Sequence, residues 1–213
     1  MPLLKELYNM ESIINFNDIL VLSKKLETER LDRELRVVMV DEYKIDDQLR
    51  KSLKNDTYQF PDTFQTKTDK QILTRVQDQF SAKIHIKRTP VYFHKHDFVE
   101  ILYIYKGHCN QFIENLETCI VLQEGDLFML NQNVIHALQQ EDEQSVLIKM
   151  IIPMEWISYE FIQDINHKSA LFDFFVGAKS PQREYYNYLQ YCCVGDERRL
   201  IEGIMTEYYL KQR

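Results

Sequence analysis

Glycine is scarce in this sequence and unevenly placed. Its five glycines are Gly107, Gly125, Gly177, Gly195 and Gly203, so the first half has none. Tight turns that need a left-handed residue are therefore expected only from Gly107 onward. Positive charge is also in deficit, with 26 Lys and Arg against 33 Asp and Glu and a formal net charge of -7. A chain of this sign does not hold nucleic acid by itself, because phosphate binding needs a dense basic face. Long hydrophobic runs are missing: none reaches the roughly 18 uncharged apolar residues of a membrane span. Lys5, Glu6, Glu11 and Asp18 interrupt the opening segment, which excludes the continuous apolar core of a signal peptide. Cys109, Cys119, Cys192 and Cys193 form no Cys-x-x-Cys pair, and adjacent cysteines such as the last two rarely bridge each other. A reducing, cytoplasmic setting without a membrane partner is the expectation.

What is present suits a globular domain: 45% hydrophobic residues, 28% charged, and 213 residues, enough to bury a full core. Ile19 to Leu35 reads as an amphipathic helix, with Ile19, Leu22, Leu26 and Leu31 among charges. Leu35 to Val40 is β-branched and apolar and predicts a strand, and Ile45 to Lys54 a short helix. The polar stretch Asn55 to Lys70 reads as loop. Ile72, Leu73, Val76 and Phe80 then recur at helical spacing and predict a helix over Gln71 to Lys83.

From Ile84 to Ile152 the pattern changes to short apolar runs: Val99 to Tyr105, Cys109 to Ile113, Thr118 to Leu122, Leu127 to Leu130 and Val146 to Ile152. Strands at this spacing imply a sandwich or barrel. After Pro153 the segments Met154 to Asp164, Ala170 to Val176 and Asp196 to Gln212 look helical, and the Tyr185 to Tyr191 group sits at helical spacing as ordinary packing. The fold class is thus α+β and mainly β. Residues 1–83 form a mixed extension packing on the barrel, 84–153 the barrel, and 154–213 C-terminal helices of which the last is a dimerisation or connector helix. On that helix the stripe Leu200, Ile201, Ile204, Met205, Tyr208 and Tyr209 either docks on its own barrel or pairs with a second copy.

Chemistry concentrates in His94-Lys-His96-Asp-Phe-Val-Glu100. All three polar groups occupy even positions, and alternate residues of a strand share a face, so two imidazoles and a carboxylate point the same way. Leu102 and Ile104 continue that face as an apolar floor, a common construction for a small-molecule pocket. A second group, Gly125-Asp-Leu-Phe-Met-Leu-Asn131-Gln-Asn133-Val-Ile-His136, turns at Gly125 and brings His136 back across the barrel. Three His and one Glu could hold a divalent metal such as Zn, Fe, Mn or Ni, or serve without metal as a polar cluster. His85, His108 and His167 lie outside the pattern and read as surface or turn residues. Trp156 either stacks on a sugar ring or, as expected in a helix, packs against the sheet.

These residues resemble the cupin superfamily, whose first motif is His-x-His, three or four residues, Glu, six residues, Gly. His94, His96, Glu100 and Gly107 match it. Of the second motif Gly125 and His136 match, while Asn131, Asn133 and Gln140 replace its Pro, Gly and Asn, and Arg88 stands where the leading Gly would be. The resemblance implies a cupin-type β-barrel, or double-stranded β-helix, with flanking N-terminal and C-terminal helices. With their flanks, the segments beginning at His94 and Glu124 look like AraC-family regulators, in which an N-terminal cupin senses an effector and dimerises while a C-terminal pair of helix-turn-helix units binds DNA.

The resemblance implies an effector-sensing and dimerisation domain without catalysis. Its ligand-binding set would be His94, His96, Glu100, His136, Leu102 and Tyr92, its effector a sugar or other metabolite, and its DNA contacts would come from a domain beyond Arg213. The alternative from another class is a cupin metalloenzyme, of the dioxygenase or sugar-phosphate isomerase type. The altered second motif and the helical end weigh against it.

Overall fold

A computed structural model describes residues 15–41, 73–75, 79–89, 91, 94–114, 116, 119–179, 186–192 and 195–211. The helix Phe16–Asp41 (α1) opens the described chain. Asn15 and Asp18 cap it reciprocally, each side chain accepting the other's backbone N–H at 3.1–3.2 Å. Strands follow at Leu73–Arg75 (β1), Ser81–His85 (β2), His94–His96 (β3), Phe98–Lys106 (β4), His108–Ile113 (β5), Ile120–Gln123 (β6), Asp126–Leu130 (β7), His136–Gln139 (β8) and Val146–Pro153 (β9). A 3-10 turn at Met154–Trp156, helices Tyr159–Gln163 (α2) and Ala170–Lys179 (α3), strand Tyr188–Cys192 (β10) and helix Glu197–Lys211 (α4) complete the order.

The strands form two five-stranded sheets, ordered β1-β3-β8-β5-β6 and β10-β7-β4-β9-β2. Their shared interior is lined by Leu102, Ile104, Cys109, Leu122, Phe128, Leu130 and Leu147, each with 0% exposure. The five strands expected between Val99 and Ile152 are all present, and the architecture is mainly β with flanking helices. Gly107 and Gly125 make their turns with φ of 78° and 89°. A side chain at Gly107 would also collide with Ser145.

Three local expectations are corrected. Leu35 to Val40 is not a strand but the last turns of α1, whose backbone runs to Asp41. No glycine or proline interrupts the preceding helix, and β-propensity is too dependent on context to end it alone. The described residues of Gln71 to Lys83 do not form the expected helix. Leu73–Arg75 pairs in parallel with His94–His96, and Ser81–His85 pairs with β9, burying Ala82 and Ile84 in strand alternation. In the Tyr185 to Tyr191 group the described residues are likewise not helical, since Tyr188–Cys192 adds an edge strand beside β7. The expected helix over Ile45 to Lys54 and the loop Asn55 to Lys70 lie outside the described residues. So do Tyr92 and Cys193.

Helices cover the outer face of the second sheet in two patches. Ile19, Leu22 and Leu31 of α1 and Ile201, Met205 and Tyr209 of α4 pack on Ala82, Ile84, Tyr103, Ile148 and Met150. Ile162, Phe174 and Phe175 of α2 and α3 cover Val99, Met129 and Leu189. A buried polar link lies within the first patch: Ser23 Oγ accepts from the Ile84 N–H at 2.9 Å and from the Tyr209 hydroxyl at 2.7 Å. The stripe on the last helix is thereby divided. Ile201, Met205 and Tyr209 dock on the chain's own sheet, while Leu200 and Ile204 remain 66% and 40% exposed. Trp156 does not pack against the sheet; it is 60% exposed and stacks on Phe80 with ring centroids 6.1 Å apart.

Truncating Met205 to Ala is expected to cost about 2–5 kcal/mol in urea unfolding, as for other buried large-to-small changes. Leu200→Ala should stay within about 0.5 kcal/mol of the parent chain. Equal effects of the two changes would contradict the docking of α4.

Candidate functional site

The polar cluster forms where the two sheets meet at one end of the interior. A bend at Asp97 divides the His94 to Glu100 segment, so His94 and His96 belong to β3 in the first sheet and Glu100 to β4 in the second. Inward parity survives the bend: His94, His96, Glu100, Leu102 and Ile104 are all buried. His94 lies opposite His136 in the β3–β8 ladder, with ring centroids 4.4 Å apart. His136 in turn faces His96 edge-on at 5.1 Å. One donor atom from each of His96, Glu100 and His136 falls within 4.8 Å of the others, and all three residues are buried. His94 joins the cluster through ring contact rather than through that donor group.

Two side chains that the apolar strand patterns concealed complete the site. Lys149 on β9 lies opposite Leu102, one diagonal step from Glu100, and its Nζ stands 3.0 Å from Glu100 Oε1. The contact is an ion pair outside hydrogen-bond geometry, between side chains only 11% and 2% exposed. Gln111 on β5 is fully buried, and its Nε2 lies 2.9 Å from His136 Nδ1. The inward parity of Leu147, Lys149 and Ile151, and of Cys109, Gln111 and Ile113, was the available signal. Both residues were hidden inside runs read as wholly apolar.

The hydrogen bonds fix much of the chemistry. His96 Nδ1 donates to the Phe98 carbonyl at 2.7 Å, so in the neutral ring Nε2 carries the lone pair and points into the cluster without a partner. For His136 the tautomer follows the Gln111 amide: an Nε2 that donates to Nδ1 leaves the proton on the imidazole Nε2, and the reversed amide frees that lone pair. His136 Nε2 and Gln111 Oε1 are likewise buried without hydrogen-bond partners.

Electrostatics sort the groups. Burial lowers the His96 pKa below its ordinary value, and burial reinforced by His94 lowers that of His136 further, so both rings are neutral. Burial acts to raise the Glu100 carboxyl, but the opposing charge of Lys149 is the largest influence that holds the group below the usual carboxylate range. Burial pushes the Cys109 thiol up to about 12 despite an opposing pull from Lys149. Cys109 is an inert core thiol, not a nucleophile.

As a metal centre the donor types and their grouping are suitable, but Lys149 is not. A divalent ion on Glu100 would be forced against an ammonium already 3.0 Å from the same carboxylate. The triad therefore does not fit a metal ion while Lys149 is paired within it. No step through a metal follows from this arrangement.

The loop that delivers His136 is tied to the C-terminal elements. Asn131, fully buried, donates its backbone N–H to the Asn187 carbonyl at 3.0 Å. The Gln132 and Asn133 side chains donate to the carbonyls of Ala178 and Gly177 on α3 at 2.7 and 3.1 Å. Gln140 closes the β8–β9 turn by donating to the carbonyls of Asp142 and Ser145. The residues that depart from the cupin second motif thus have structural partners. The remaining histidines are spread out: His85 is buried on β2, which corrects its reading as a surface residue, His108 lies beside Glu141, and His167 contacts Phe172.

The signs of these shifts predict an acid-sensitive fold. His96 and His136 bind protons more readily unfolded than folded, so acidification through their ordinary value of 6.5 removes stability. Glu100 is depressed when folded, so its stabilisation is complete above 4.5 and is lost as the pH falls below it. Urea midpoints should fall in two stages between pH 7 and pH 3. Glu100→Gln should flatten the lower stage; a lower stage unchanged by that substitution would contradict the assignment.

Residues 85–164 match the family model described as AraC-like ligand binding domain. No curated protein matches the chain. Among solved structures it is similar to an apo form of ToxT from Vibrio cholerae strain SCE256, at 16% identity and a TM-score of 0.45, covering 63% of this chain and 49% of that one. Unsaturated fatty acid bound wild-type ToxT from the same strain gives 16% and 0.42, covering 62% and 48%. Oxalate decarboxylase from Bacillus subtilis gives 17% and 0.27, covering 54% and 38%. The aligned region thus spans about half the length of ToxT. Among the described residues no helix is long and apolar enough to cross a membrane. The matched residues, from the end of β2 to the end of α2, include His94, His96, Glu100, Gln111, His136 and Lys149, so the polar cluster lies within the part of the chain that is similar to AraC-like ligand binding domains.

Proposed function

We propose that this chain is the effector-sensing half of an AraC-type transcriptional regulator, binding a small polar molecule at the His94, His96, Glu100 and His136 cluster. The observation that carries the reading is a set of buried atoms without hydrogen-bond partners, His96 Nε2, His136 Nε2 and Gln111 Oε1, inside a segment that matches a ligand-binding family. Buried polar atoms in native proteins are normally satisfied, and a cluster left wanting both donors and acceptors suits a hydroxyl-bearing ligand such as a sugar or a related metabolite. Leu102 forms the apolar floor beneath it. Charge within the cluster is already balanced by Glu100 and Lys149, which favours a neutral ligand over an ionic one.

Signal transfer would use the loop 131–135. It leads directly into His136 and is hydrogen-bonded to the C-terminal turn of α3 and to Asn187. A ligand that moves His136 moves these bonds too, and so shifts the C-terminal elements between two arrangements by differential affinity. DNA would be contacted by a further domain, and a two-fold operator would be read by a homodimer. Catalysis is not part of the proposal, because a lysine is paired with the carboxylate that a metal-dependent enzyme of this fold would need as a ligand.

The test is a reporter assay with the full-length gene product and a library of small metabolites, paired with thermal-shift measurements on this chain. An effector that activates or represses the reporter should raise the melting temperature. Replacing both His94 and His136 by Ala should abolish both effects while DNA binding persists. A doubly substituted protein that still responds fully would refute the site.

A further inference from the structure

We infer that the ammonium of Lys149 is the resident cation of the His96, Glu100 and His136 cluster, and that removing it uncovers a divalent metal site. Three features of the structure combine. First, the three donors are grouped within 4.8 Å and all are buried, close enough for a single ion to reach all three. Second, their free valences are those of a ligand shell. His96 is oriented by donating Nδ1–H to a backbone carbonyl, the usual outer contact of a metal-binding imidazole, and its Nε2 has no partner. His136 has the buried Gln111 amide at Nδ1, and the orientation with Oε1 accepting from Nδ1–H would aim a second lone pair inward.

Third, positive charge reaches this carboxylate from another strand. Glu100 is 2% exposed and could not remain ionised without a nearby cation, and Lys149 extends from β9 to within 3.0 Å of it. The neighbouring positions on that strand face of β9 carry Leu147 and Ile151, both buried and apolar, so the lysine is the charged exception on an inward face. A tethered ammonium and a divalent ion serve the same carboxylate, but they cannot occupy its vicinity together. The arrangement fixes the charge within the cluster without dependence on metal supply. It keeps the site selective for ligands that do not bring their own cation.

Lys149→Met keeps most of the length of the side chain, one atom short, and removes its charge. Titration of the full chain with Co²⁺, followed by visible absorption and calorimetry, should show one equivalent bound by K149M. Its affinity should exceed that of the unsubstituted chain by roughly 10- to 100-fold, the range by which groups adjoining a ligand shell alter metal affinity. The double variant K149M/H96A should return to the unsubstituted level. If K149M does not fold alone, one equivalent of Zn²⁺ should restore its circular dichroism where Mg²⁺ does not, since Zn²⁺ accepts imidazole ligands readily. The inference is overturned if the unsubstituted chain binds Co²⁺ as tightly as K149M, or if folded K149M gains no affinity. A gain that survives H96A, or an unfolded K149M that Zn²⁺ does not rescue, overturns it equally.

Discussion

The buried contact between Glu100 and Lys149 is the constraint around which the interior is arranged. A carboxylate at this depth is strongly disfavoured unless a cation balances it, and breaking such a pair by removing one partner is far more damaging than replacing both. The pair spans β4 and β9, adjacent interior strands of the second sheet, and both side chains are buried there. The two neutral imidazoles and the Gln111 amide gather around it from the first sheet. A polar assembly thus joins the two sheets at one end, while Leu102, Phe128, Leu130 and Leu147 join them by apolar packing at the other.

The sequence departures in the second motif acquire a physical meaning in this frame. A Pro and a Gly would shape a loop through backbone conformation alone. Asn131 and Asn133 instead shape it by hydrogen bonds, with Asn131 Oδ1 accepting the Asn133 N–H at 3.0 Å and the Asn133 amide reaching α3. A loop set by side-chain bonds to a neighbouring helix shares that helix's position. A loop set by proline and glycine does not.

Legibility differed between the elements. The strands from Phe98 to Pro153 could be read because apolar alternation and glycine turns agreed with each other, and the even parity of His94, His96 and Glu100 predicted a common face despite the bend at Asp97. Ser81–His85 escaped because Ile72, Leu73, Val76 and Phe80 mimic a helical stripe, while the strand depends on pairing with β9, far along the chain. The Tyr188–Cys192 strand escaped for the same reason, since β7 supplies its partner. Leu35 to Val40 failed in the opposite direction, where local β-branched character yielded to the helix already under way. In the site the four clustered polar side chains were visible by type. Lys149 and Gln111 were not, because a charge inside a hydrophobic run is ordinarily the outward residue and only the register shows that these point in.

The serine that receives the Tyr209 hydroxyl lies 186 residues before it. That single oxygen also holds the backbone of Ile84, so the first helix, the edge of the second sheet and the last helix converge on one atom. A contact of such sequence separation closes a long loop, and its entropy cost is offset only by the packing of the chain between. The last helix is consequently a reporter of completeness: it seats fully only on a molecule whose opening helix and sheet are already in place.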